Sequence, residues 1–146
     1  MSGKFSYKVG NNSHKGMVRT NNQDSFGSEK NSWGEIYIVA DGMGGHKGGE
    51  VASQMTVAHI REAFKQADKR VKPVEFLEKS IQEANQLVVK EGQDNNDLEG
   101  MGTTVVCILL TDNIAHIAHV GDSRLYIFRY NKPYFVTKDH SVVQDL

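Results

Sequence analysis

Trp33-Gly34-Glu35-Ile36-Tyr37-Ile38-Val39-Ala40-Asp41-Gly42-Met43-Gly44-Gly45-His46 begins β-branched and aromatic, then runs directly into an aspartate and a cluster of glycines. This order predicts a buried central strand over 33–40 that ends in a functional loop. An aspartate at the end of such a strand is held rigidly, and the glycines after it let backbone carbonyls and amides approach an ion or a phosphate. The same residues also suit a plain glycine-rich turn in which Asp41 caps the next helix.

Working outward, the pattern after about Lys47 changes to a helical stripe, with Val57, Ile60, Phe64 and Ala67 recurring at spacings of three and four. Pro73 is placed as the first residue of a second helix carrying Val74, Leu77, Ile81, Ala84 and Val88, which Gly92 and the polar run 93–97 end. Beyond Gly102, strands are expected over 103–111, 114–121, 124–130 and 134–137, joined by short turns at Asp112-Asn113 and Asn131-Lys132-Pro133. Connections this short make hairpins and therefore antiparallel pairs. On the N-terminal side, 7–9 and 24–27 are candidate strands. Strands, two helices and more strands give an α+β layout with helices covering an antiparallel sheet.

The chain has 146 residues, enough for one domain with a real core, and residues 1–146 are read as a single domain. Seventeen basic residues against eighteen acidic ones leave a formal charge of −1, so no net field recommends nucleic acid or an anionic membrane as a partner. No run approaches the ~18 apolar residues of a bilayer span, and a soluble, cytoplasmic protein is expected. Cys107, the single cysteine, lies in the apolar run Val105-Val106-Cys107-Ile108-Leu109-Leu110 and reads as a small buried hydrophobe in a reducing compartment.

Three further polar clusters carry candidate chemistry. Val18-Arg19-Thr20-Asn21-Asn22-Gln23-Asp24-Ser25 puts an arginine, whose planar fork matches phosphate oxygens, near a carboxylate suited to a hard dication. A solvated loop with a local ion pair is the alternative there. His119-Val120-Gly121-Asp122-Ser123-Arg124 again places an aspartate between two strands, where a hairpin turn would serve as well. Asp139-His140-Ser141 cannot form a hydrolytic triad, because adjacent residues cannot fold onto one another; it reads as a loop entering a short helix capped by Ser141. His116 and His119 lie three apart on one strand, on opposite faces, and should not share a zinc ion, while His59 reads as packed or surface. A dinucleotide loop is disfavoured because the sixth position from Gly42 is Lys47, and a phosphate-binding loop of the glycine-lysine-serine/threonine type fails because Gly48 follows that lysine.

In order, the blocks Arg19-Thr20-Asn21-Asn22-Gln23-Asp24, Val39-Ala40-Asp41-Gly42-Met43-Gly44-Gly45-His46, Gly49-Glu50-Val51-Ala52-Ser53, Gly100-Met101-Gly102-Thr103-Thr104, Ala118-His119-Val120-Gly121-Asp122-Ser123-Arg124 and Thr137-Lys138-Asp139-His140-Ser141 resemble the PPM-type, or protein phosphatase 2C, family, in its bacterial branch. The resemblance implies two antiparallel sheets packed face to face with helices outside, a four-layer αββα sandwich that is C-terminally incomplete here. It implies two Mg²⁺ or Mn²⁺ ions, and a third, weaker one, at one end of the sandwich. Asp41 would bridge two ions and the Gly42 carbonyl would ligate one. Gln23 and Asp24 would hold metal-bound waters, Asp122 would serve the third ion, Arg19 would grip the substrate phosphate, and His46 would contact substrate.

The implied reaction is hydrolysis of phosphoserine and phosphothreonine in proteins by metal-activated water, in opposition to a serine/threonine kinase. Met43 stands where eukaryotic relatives often have a proton-donating histidine, and Gln23 where many relatives have glutamate. The chain ends at Leu146, before two further aspartates of the family pattern, so weak or no activity is expected, with association through an incomplete sheet edge. A non-catalytic binding domain of the same fold, and a nucleotide module built on the glycine loop, are the alternatives.

Overall fold

A computed structural model describes residues 6–45, 47–68 and 70–140 of the chain. The strands are β1 (Asp24–Lys30), β2 (Glu35–Met43), β3 (Gly102–Thr103), β4 (Val105–Thr111), β5 (Ile114–Val120), β6 (Tyr126–Arg129) and β7 (Lys132–Val136). The helices are α1 (Gly48–Lys65) and α2 (Pro73–Asp94). All strand pairings are antiparallel. The main sheet runs β1-β2-β4-β5, with β3 joined to the end of β2, and β6 and β7 form a separate sheet.

The alternation along β2 decides which way the sheet faces. Ile36, Ile38, Ala40 and Gly42 are buried against the helices, while Val39, Asp41 and Met43 are exposed on the other side. From β4, Val105, Cys107 and Leu109 join the helix-facing core, meeting Val57, Ile60 and Phe64 of α1 and Phe76, Leu77 and Ala84 of α2. Trp33 closes one end of this layer, stacked on Phe64 at 5.8 Å and edge-on to Phe76 at 5.6 Å. The β1–β2 turn is fixed by Asn31, whose Oδ1 accepts from the amides of Trp33 and Gly34 (2.8 and 3.0 Å) and whose Nδ2 donates to the Phe64 carbonyl (2.7 Å). Burial pushes the Cys107 thiol up to about 12, which leaves it protonated and unreactive.

The α+β class, both helices and the antiparallel sheet agree with the sequence reading. Of the four layers expected, the described residues supply one helical layer and one sheet of five strands, with a second sheet of two strands. Several boundaries differ. Residues 7–9 are not in a strand. The central strand starts at Glu35 and extends through Asp41 to Met43, since β3 pairs with its last residues. The last hairpin turns at Tyr130-Asn131, both at positive φ (52° and 60°), so Lys132 and Pro133 belong to β7. The connection from β5 to β6 is no hairpin: Gly121, at φ 99°, redirects the chain and β6 pairs with β7 alone. Residues 137–140 are irregular; the helix expected after them and its cap Ser141 lie outside the described residues.

Candidate functional site

β1 and β2 bring two carboxylates together by register. Asp24 pairs directly with Asp41, so both side chains stand side by side on the face away from the helices. Partial burial of the Asp41 carboxyl, a hydrogen bond with Asp24 and the charges of Asp24 and Asp122 push its pKa above the ordinary carboxylate value, while Arg19 pulls it down. Two acidic groups and one guanidinium, from two other stretches of chain, therefore act on Asp41 here. Asp41 caps no helix, since Lys47 stands at the α1 N-cap position.

Each arm of the cluster is braced by backbone. The Asp24 amide donates to Asn22 Oδ1 (3.0 Å), and Asn22 Nδ2 donates to Ser13 Oγ (2.7 Å). Gln23 lies over the glycine loop: its Nε2 donates to the Gly44 carbonyl (3.0 Å), and its own carbonyl accepts from the Gly42 amide (3.0 Å) and from Ser53 Oγ (2.7 Å). A methyl group on Gly42 would lie 1.9 Å from the Gly49 carbonyl oxygen, and one on Gly49 would lie 2.7 Å from the Gln23 side chain. Packing against neighbouring main chain thus requires Gly42, and only glycine permits the positive φ of 145° at Gly44. His46, the expected substrate contact, lies outside the described residues.

Thr104 ties Asp41 to Asp122, a role the sequence reading did not assign. Its amide donates to the Asp41 carbonyl (2.9 Å), its Oγ1 accepts from the Asp41 amide (3.0 Å), and the same oxygen meets Ser123 Oγ at 2.5 Å. Its methyl also fills the hollow left by Gly121, where a Cβ would come within 2.7 Å. The only signal was Thr103-Thr104 after two glycines, which marks a strand entrance without naming a partner 63 residues away. On the far side of Asp122, Arg124 clamps Asp139 with two 2.8 Å hydrogen bonds, which hold that carboxyl below the usual range. The His140 amide donates to the Gly121 carbonyl (2.9 Å), and its ring stacks on His119 at 4.5 Å. His116 turns instead to Thr111 Oγ1 (2.8 Å), and His59 to Glu83 (3.0 Å).

The donor chemistry suits hard cations. Carboxylate oxygens on an open, wet face select Mg²⁺ or Mn²⁺ over softer metals. Among the described residues no three of His, Cys, Asp and Glu form a preassembled cage. Next to the cluster lies a cleft of about 560 Å³ lined by Val18, Arg19, Thr20, Asn21, Gln23 and Lys47.

Serine/threonine phosphatase stp of Listeria welshimeri is 40% identical over 136 residues, covering 90% of this chain and 54% of the relative. The structure of Stp1 from Staphylococcus aureus matches with a TM-score of 0.83 at 33% identity, over 90% of this chain and 53% of that one. The catalytic domain of PstP, solved in complex with two manganese ions, matches with a TM-score of 0.77 at 34% identity, over 90% and 55%. The chain therefore spans about half the length of the first of these curated relatives. Residues 13–141 match the protein phosphatase 2C family model, and the chain belongs to that family.

Proposed function

We propose that this chain supplies the dication- and phosphate-binding half of a metal-dependent phosphatase acting on phosphoserine and phosphothreonine in proteins, opposite a serine/threonine kinase. The pairing of Asp24 with Asp41, within the charge of Asp122 and Arg19, carries the reading. Asp41 and the Gly42 carbonyl would hold two Mg²⁺ or Mn²⁺ ions, with Gln23 and Asp24 supporting their waters and Asp122 a third ion. When bound, such ions lower the pKa of water toward neutrality and neutralise charge on the phosphoryl oxygens.

The chain's own residues have distinct tasks. Arg19 offers two parallel N–H donors to the nonbridging phosphate oxygens and orients the ester. Thr104 and Asn22 keep Asp41 and Asp24 aimed at the same space. As water adds to phosphorus, the bond to the serine or threonine oxygen breaks and that oxygen needs a proton. Met43, half-exposed on the Asp41 face, has none to give, so water or His46 supplies it.

A second reading, a binding domain without turnover, is favoured by the lack of a three-ligand cage among the described residues. Hydrolysis of a phenyl phosphate ester with and without Mn²⁺, using Asp41→Asn as control, separates the two. Turnover that needs both the metal and Asp41 is the expected result; equal, metal-independent rates would remove the enzymatic reading. Association between copies belongs to the same proposal, because β1 and β5 are sheet edges and Phe26, Val39 and Val120 stand about half-exposed. A clean monomer on size-exclusion chromatography would contradict it.

A further inference from the structure

Between the backbone of Asp41 and the turn that carries Asp122 lies a pair of hydroxyls whose hydrogen bonds have a direction. Thr104 Oγ1 accepts from the Asp41 amide at 3.0 Å and stands 2.5 Å from Ser123 Oγ. A hydroxyl has one proton to give. Among the described residues Ser123 Oγ is the acceptor that Thr104 Oγ1 meets, so the threonine proton goes there. The bonds therefore run in one sense, from the Asp41 amide to Thr104 and on to Ser123, and bonds linked in this way strengthen one another.

The surroundings make this link stiff. Thr104 is only 7% exposed, and its amide also donates to the Asp41 carbonyl (2.9 Å), so one residue holds both backbone polar groups of Asp41. Its methyl fills the hollow at Gly121, which stands at φ 99° and has no room for a Cβ. From the other side the His140 amide holds the Gly121 carbonyl (2.9 Å). The turn bearing Asp122 is thus clamped between Thr104 and His140, and a shift of residues 121–123 presses on the residue that positions Asp41.

We infer that Thr104 and Ser123 are positioning residues that couple two cation positions, so that an ion on Asp122 tightens the hold on ions at Asp41. An ion on Asp122 fixes its turn, the turn fixes Thr104, and Asp41 is then already ordered when its own ions arrive. Linkage makes the effect reciprocal. This rests on the metal-dependent reading above, and the experiment separates the two. Mn²⁺ is titrated calorimetrically into the full 146-residue chain at about 0.5 M salt, which screens direct repulsion between the ions.

Placed in the wild-type background, Asp122→Asn should weaken the Mn²⁺ held at Asp41 about five-fold, the lower end of coupling between sites. Placed in Thr104→Val or Ser123→Ala, the same substitution should change that affinity by less than about two-fold, as expected of independent positions. Thr104→Ser keeps the hydroxyl and gives up only the methyl, so it should restore the five-fold effect. A role confined to holding the fold would lower affinity in every variant without altering this factor. An equal factor in all four backgrounds, or no effect of Asp122→Asn in wild type, would overturn the inference and leave the metal-dependent reading intact. Failure of wild type to bind Mn²⁺ would overturn both. If Thr104→Val does not fold, Ser123→Ala, at a half-buried position, decides the question alone.

Discussion

The two faces of the β1-β2-β4-β5 sheet are built by alternate residues of the same strands, yet they do opposite things. On one face Ile36, Ile38, Cys107 and Leu109 are sealed beneath two helices. On the other, Val39 and Phe26 remain about half-exposed and share the surface with Asp24 and Asp41. The closed face supplies stability through apolar burial, and in return holds the strands still enough for register alone to place two carboxylates side by side. The open face accepts an electrostatic penalty, because like charges are held together with few groups to neutralise them.

The largest expected effect comes where the two faces meet. Gly42→Ala would drive a methyl group into the Gly49 carbonyl, and we expect it to cost more than about 3 kcal/mol or prevent folding, as read by urea denaturation. A fully folded variant would mean that the α1 N-terminus is not seated on the strand as described.

A sharper contrast comes from adjacent residues of one strand. Ile38→Ala should cost about 2–5 kcal/mol by emptying a buried site, whereas Val39→Ala should stay within about 0.5 kcal/mol. Equal costs would show that the open face is covered in solution, and concentration dependence of the Val39→Ala effect would identify a second copy as the cover.

Smaller in energy, but opposite in sign, is Asp41→Asn. The folded-state pKa of Asp41 is raised, so its contribution to stability is full below the unfolded value of about 3.9 and is lost as pH rises through the folded value. Metal-free wild type should therefore weaken with rising pH across that range, and Asp41→Asn should melt higher than wild type at neutral pH. A lower melting temperature for the variant would mean that the carboxylate is not under repulsion.

The smallest effect is expected at Arg124. Its partner Asp139 has a lowered pKa, a contribution present above the unfolded value and lost as pH falls through the folded one. Arg124→Gln should remove that acid-side dependence and loosen the bend bearing Asp122. The readout is a few-fold weaker effect of the weakest Mn²⁺ equivalent, with little change in neutral-pH stability.

Much of this contrast was legible in the sequence. The alternation from Ile36 to Met43 and the stripes in both helices express local periodicities, which a linear reading can count. Asp41 stood out because it ends a β-branched, aromatic run and is followed by a cluster of glycines, and Arg19 and Asp24 because they share a short polar segment. Thr104 did not stand out, because its role depends on Asp41 and Ser123, each distant in sequence. The need for glycine at 42 was equally hidden, since the obstruction is the backbone of Gly49, and the bend at Gly121 looked like any hairpin turn until β6 was seen to leave the sheet.

Calorimetric titration of Mn²⁺ into wild type, Asp41→Asn and Val39→Ala tests the division of labour between the faces most directly. Expected are saturable binding by wild type and Val39→Ala, and loss of at least ten-fold in affinity, about 1.4 kcal/mol, in Asp41→Asn. Equal Mn²⁺ binding by Asp41→Asn and wild type would contradict the account, because the paired carboxylates would then not be what the sheet was holding in place.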